Sequence, residues 1–80
     1  MTPTPKQGQY LAYIRLYTIL HRRPPSQAEM QAYFRVTPPS VHRMVMQLEQ
    51  NGFISRVPRQ PRSITIQLPA DQIPELVPIP

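Results

Sequence analysis

The sequence predicts an α+β fold that is mostly α: three helices, then a two-stranded β-hairpin. Three observations carry this. Ser26 and Thr37 each begin a helical pattern, about eleven residues apart, with a tight turn at Arg35-Val36 between them. Asn51-Gly52 stops the later pattern, because glycine enters the left-handed region freely. Two runs of alternating apolar and polar residues then flank Pro58-Arg59-Gln60-Pro61, as the strands of a hairpin flank its turn.

The first helix starts at Thr4. Its hydroxyl can cap, Pro5 suits the first helical position, and Gln7 three residues on completes a capping box. Tyr10, Tyr13, Ile14, Tyr17 and Leu20 recur at helical spacing and predict one apolar face. Gly8 weakens the first turn by ~1 kcal/mol relative to alanine. Pro24-Pro25 ends this helix by about Arg22.

Ser26 and Glu29 form a second box, S-x-x-E, and open a short helix to about Phe34. Ala28, Phe34 and either Met30 or Tyr33 are expected to face inward. Arg35 stands where turns of this kind tend to place glycine, so a strained arginine or a different turn is expected. Thr37 is expected to cap the third helix, with Pro38 at its first position. Pro39 fits the second position, where an N–H would be unpaired anyway. Val41, Met44, Val45 and Leu48 line one side of this helix.

Phe53 to Val57 and Ser63 to Leu68 are the predicted strands, with Ile64, Ile66 and Leu68 inward. Pro58 and Pro61 keep the hairpin tip from pairing with other strands. Residues 69–80 hold four prolines, which exclude a regular helix or a central strand. Ile73, Leu76, Val77 and Ile79 are nevertheless too apolar for a solvated linker. The chain thus divides into a domain over 1–68 and a Pro-rich apolar tail over 69–80, expected to pack across the domain or on a partner subunit.

Eighty residues make one small domain. With no cysteine, neither a disulfide framework nor a zinc finger holds it together. No run approaches the roughly 20 apolar residues of a membrane span. The start M-T-P-T-P-K lacks the apolar core of a signal peptide, so a cytoplasmic location is expected. The net charge is +5, unevenly spread. Residues 1–68 hold all nine basic side chains and only Glu29 and Glu49, while residues 69–80 hold Asp71 and Glu75 and no cation. A basic body implies a polyanionic partner.

Catalysis finds little support. The four acids are scattered over different elements, and His21 and His42 share no metal-ligand spacing with a carboxylate. Two glycines cannot build a phosphate-cradling loop, and the sole lysine, Lys6, lies near the terminus. No enzyme activity, cofactor or metal is expected.

Two capped helices joined by a tight turn and followed by an arginine-bearing hairpin make a winged helix-turn-helix. In that motif the second of the paired helices lies in the DNA major groove. The third helix turns about 100° per residue. With Val41, Val45 and Leu48 inward, Pro39, Arg43, Met46 and Gln50 point away, Ser40 and Gln47 flank one side, and His42 the other. N-terminal residues of such a helix meet base edges, which nominates Pro39, Ser40, His42, Arg43 and Gln47. Arg43 has the fork for a bidentate guanine contact. Thr37 is expected to offer its hydroxyl to the helix and nearby N–H groups to a phosphate. Arg56, Arg59 and Arg62 would bring the wing to backbone or minor groove, and Ser26 and Gln27 open the helix that crosses the backbone.

The residues also resemble a known family. T-P-K-Q-x-x-Y-L-x-Y-I-R from Thr4, P-P-S-Q-A-E-M from Pro24, L-E-Q-N-G-F-I from Leu48 and R-S-I-T-I from Arg62 are similar to the N-terminal DNA-binding domain of the LexA repressor family. The resemblance covers about residues 4–68, and its P-P-[ST]-x-A-E-[IM] segment is the more specific part. It implies base-reading positions at Thr37, Pro39, Ser40, His42 and Arg43. The family carries a polar and acidic set at several of these, so its operator sequence does not transfer. Its self-cleaving protease, with a serine–lysine pair, has no counterpart in these residues. Since that domain also dimerises the repressor, this chain is expected to dimerise otherwise, borrow a partner or bind weakly. Thr37 to Gly52 also resembles the recognition helix of iron-dependent (DtxR-type) and MarR-type regulators.

The expected function is therefore a transcription regulator, a LexA-like repressor, that binds double-stranded DNA. A second copy meeting through the tail or the first helix is the expected protein partner. The alternative is a winged-helix module for protein docking or dimerisation, which the apolar tail and outward Met46 favour. Single-stranded nucleic acid or RNA is a third reading, but Tyr10, Tyr13, Tyr17 and Tyr33 look like core rather than a stacking platform.

Overall fold

A computed structural model describes residues 2–78. The elements run α1 (Pro5–His21), α2 (Gln27–Phe34), α3 (Pro38–Gln50), β1 (Ile54–Ser55), β2 (Thr65–Ile66) and a 3₁₀ turn (Ala70–Gln72). The strands pair antiparallel, Ile54 opposite Ile66 and Ser55 opposite Thr65. Three helices with a two-stranded hairpin form a winged helix-turn-helix.

Local chemistry sets the helix ends. At α1 the Gln7 N–H donates to the Thr4 hydroxyl at 3.1 Å, and the Thr4 N–H donates to Gln7 Oε1 at 2.9 Å. At α2 the Ser26 N–H donates to Glu29 Oε1 at 2.9 Å, and the Glu29 N–H to the Ser26 hydroxyl at 3.2 Å. Behind α3 the Phe53 N–H reaches the Leu48 carbonyl at 2.9 Å and the Gly52 N–H the Glu49 carbonyl at 3.0 Å. With Gly52 at φ 76°, this is a Schellman stop.

The third helix start differs from expectation. Thr37 is the N-cap, but its side chain makes no bond to the helix backbone. Pro38 and Pro39 remove two of the donors such a cap serves. The next N–H, of Ser40, already donates to the Thr37 carbonyl at 3.0 Å. The Thr37 hydroxyl therefore turns to the Ser40 hydroxyl, 3.0 Å away. The same two prolines leave few N–H groups there for a phosphate.

The core joins Tyr10, Leu11 and Ile14 of α1 to Met30 of α2, to Val41, Met44, Val45 and Leu48 of α3, and to Phe53, Ile54 and Ile64 of the wing. The rings of Tyr10 and Phe34 stack at 4.0 Å between centroids, and those of Tyr13 and Tyr33 at 4.4 Å. These stacks clip α1 to α2. Leu11 is fully buried although the predicted face omitted it, whereas Leu20 is 73% exposed. The last turns of α1 have no neighbour to cover them, so the inward face ends near Tyr17. Ala28 is exposed too, since it lies opposite the buried Met30 on α2.

The wing strands are shorter than the alternation predicted. Beyond Ser55 the chain leaves the ladder, and Val57 is exposed. The hydroxyl of Ser63 closes the loop instead. It accepts from the Val57 N–H at 3.0 Å and lies 2.8 Å from the Gln60 carbonyl. Beyond the wing, the chain returns along α1. Gln9 Nε2 donates to the Glu75 carbonyl at 3.0 Å, the Val77 N–H donates to Gln9 Oε1 at 2.8 Å, and Ile73 packs against the core. Ile79, expected among the packing residues, lies outside the described residues.

Candidate nucleic-acid interface

α3 has one buried and one exposed side. Its buried side is Val41, Met44, Val45 and Leu48, and Thr37, Pro39, His42, Arg43 and Gln47 are exposed, with Ser40 half-buried. Ser40, Arg43 and Gln47 share a recess with Thr4, Lys6 and Gln7 at the start of α1. Lys6 and Thr4 are site neighbours that the sequence did not nominate. The capping box at Thr4 was readable, but its position beside α3 depends on how the helices pack.

A second groove, about 340 Å³, runs between the start of α2 and the wing. Ser26, Gln27, Arg56, Arg59 and Arg62 all line it. The structure thus gathers the nominated residues into two neighbouring sets, one on α3 and one between α2 and the wing.

Several nominated side chains have work inside the molecule. The Ser26 hydroxyl is taken up by the capping box, donating to Glu29 Oε1 at 3.0 Å. Arg56 Nε pairs with Glu49 Oε1 at 3.2 Å, and its Nη2 donates to Met46 Sδ at 3.1 Å. The outward Met46 is therefore packed by the wing. Arg62 Nη1 lies 2.6 Å from Glu29 Oε1, 3.1 Å from the Tyr17 hydroxyl and 3.3 Å from the Pro24 carbonyl. Tyr17 in turn donates to Glu29 Oε2. Partial burial pushes the Glu29 carboxyl up, but hydrogen bonds from Tyr17, Ser26 and Arg62 outweigh it and hold the pKa at about 2. Arg62 is held more firmly protonated by Tyr17 and Glu29.

Among the described residues these are the ion pairs, so both acids of the basic body are neutralised in place. Arg43, Arg59 and Lys6 are in no ion pair among the described residues. No cluster of three His, Cys, Asp or Glu among the described residues could hold a metal, and no described helix is long and apolar enough to cross a membrane.

A family model described as "MarR family" matches residues 12–60, from the middle of α1 through α2, α3 and β1 into the wing loop. The chain belongs to the MarR family. This MarR-family chain is also similar to proteins named LexA repressor. One, from Thermosipho melanesiensis, is 35% identical over 63 residues, 79% of this chain and 32% of the relative. Another, from Magnetococcus marinus, is 36% identical over 76 residues, 95% of this chain and 32% of the relative. A third, from Thermosipho africanus, is 34% identical over 77 residues. The MarR-family chain thus spans about a third of the length of the curated relatives it matches.

Proposed function

We propose that this chain is a sequence-specific, double-stranded DNA-binding transcription regulator, and that it represses in the manner the name LexA repressor indicates for its relatives. The observation that carries this reading is the outer face of α3. Pro39, His42, Arg43 and Gln47 stand exposed there, with Lys6 beside them, while both acids of the basic body are paired away. α3 enters the major groove, with Thr37, Pro39, Ser40, His42, Arg43 and Gln47 toward the bases. Gln27 and the wing follow the phosphates, giving a steep salt dependence, ~0.9 log units in affinity per log unit of salt for each phosphate neutralised. Such a regulator works in the cytoplasm.

Its protein partner is a second copy of the chain. Leu16, Ile19 and Leu20 stand exposed at helical spacing on α1, 39%, 57% and 73% respectively, and suit a self-complementary contact. The same stripe favours the second reading, a docking or dimerisation module that does not read DNA.

Selection of bound duplexes from a randomised pool at physiological salt tests both. A recovered motif is expected, and two copies at fixed spacing would establish the dimer. Absence of binding even at low salt would sink the DNA reading in favour of the docking module. With the motif in hand, Arg43→Ala should cost ~1–3 kcal/mol and relax preference at one position. Unchanged affinity and preference would remove Arg43 from the readout.

A further inference from the structure

The wing arginines are not equivalent. The hairpin ladder is only two residues long on each strand, from Ile54–Ser55 to Thr65–Ile66. So short a ladder does not by itself fix the angle of the loop beyond it. Ser63 ties that loop to itself, and buried Ile64 seats its return. From within the loop, Arg62 reaches back across the molecule. It meets Glu29 and the Pro24 carbonyl beside α2 and the Tyr17 hydroxyl on α1, its guanidinium carbon 6.0 Å from the Tyr17 ring centre. One guanidinium therefore joins three segments of the chain. Arg59, three residues earlier at the exposed tip, has no ion pair among the described residues.

We propose that Glu29 and Tyr17 form a latch on Arg62 that sets the angle of the wing, making Arg62 a positioning residue and leaving Arg59 as the wing's phosphate contact. The latch itself stands on the geometry of the free protein, while its consequence for Arg59 rests on the DNA reading above. The chemistry favours retention. An arginine already shared by a carboxylate, a phenol and a carbonyl must give up all three to reach a phosphate. Weakening the latch from the Glu29 side, by removing the charge that holds Arg62, also has an opposite sign in the two accounts. Glu29→Gln raises the net charge, so long-range attraction or a freed Arg62 would tighten DNA binding. Loss of the latch would weaken it. Glutamine still serves a capping box, so α2 keeps its start.

The test compares the wild type with Glu29→Gln, Arg62→Ala, their double variant and Arg59→Ala, using the whole chain. Nitrogen-15 backbone relaxation of residues 57–63 in the free protein is the first readout. The loop should be ordered in the wild type and gain nanosecond motion in both latch variants. An unchanged loop overturns the latch whether or not the chain binds DNA. The second readout is affinity for a selected duplex across salt concentrations. Glu29→Gln and Arg62→Ala should each weaken binding about three- to tenfold, and the double variant should be no worse than either, as coupled residues behave. Arg59→Ala should lower the salt slope by ~0.9 while Arg62→Ala leaves it in place. Tighter binding by Glu29→Gln, or a lost salt increment in Arg62→Ala, overturns the positioning role. A loosened loop in a chain that binds no duplex in any form would uphold the latch and refute the DNA reading instead.

Discussion

Glu29 Oε1 accepts from the Ser26 N–H, the Ser26 hydroxyl and Arg62, and its Oε2 accepts from Tyr17. A carboxylate so surrounded holds its proton only in strong acid, with a pKa of about 2 against an ordinary 4.5. The unfolded chain therefore takes up this proton before the folded one does. The stabilisation is fully present above about pH 4.5 and is lost as pH falls through about 2. We expect the wild type to be more stable than Glu29→Gln at pH 7 and the difference to close as pH approaches 2. Urea midpoints across that range measure it, and a gap that stays constant would show that the charge of Glu29 contributes nothing. The Ser26–Glu29 box was readable because its partners are three residues apart. Arg62 and Tyr17 were not, because 45 residues separate them and only the packing of α1 against the wing brings them together. Arg62 therefore looked like a free cation in the sequence; so did Arg56, although its partner Glu49 is near in the chain, because the pair forms only across the turn from α3 into the wing.

At the level of elements, the helix ends were the most legible part. Capping boxes, Pro24-Pro25 and Asn51-Gly52 act within a few residues, and they placed α1, α2 and α3 almost to the residue. The strands were less legible, since alternation shows which residues face inward but not where a ladder ends. The tail was least so. Its prolines excluded a regular helix or central strand, but announced neither the short 3₁₀ turn at Ala70–Gln72 nor that Pro74 would lie against Gly8. A Cβ built on Gly8 would meet Pro74 Cγ at 2.8 Å and Cδ at 3.2 Å. The glycine that weakens the first turn of α1 thus admits the tail. Gly8→Ala should accordingly destabilise the native chain. In a Pro74→Ala background, which lacks both opposing atoms, the same change should instead stabilise by up to ~1 kcal/mol from helix propensity. Chemical denaturation of the four forms tests the sign reversal, and equal effects in both backgrounds would dismiss the contact.

On the scale of the whole molecule, charge is arranged by pairing as much as by composition. The basic excess was plain in the sequence. Which cations remain free was not, because that depends on where Glu29 and Glu49 sit in the fold. Backbone conformation adds a second pattern. Among the described residues, the non-glycine positions with positive φ are Arg22, Arg35, Arg59 and Arg62, at 58°, 56°, 62° and 58°. Only Arg35 was foreseen as strained. Two of these close helices and two shape the wing loop. An L side chain held there costs roughly 1 kcal/mol or more, and glycine would be relieved of it. The double variant Arg22→Gly/Arg35→Gly should therefore raise the melting temperature, and one that gains no heat resistance would contradict this. A directed search for heat tolerance alone would thus converge on glycine at these two helix-closing turns, where both arginines are exposed and relief disturbs no buried packing.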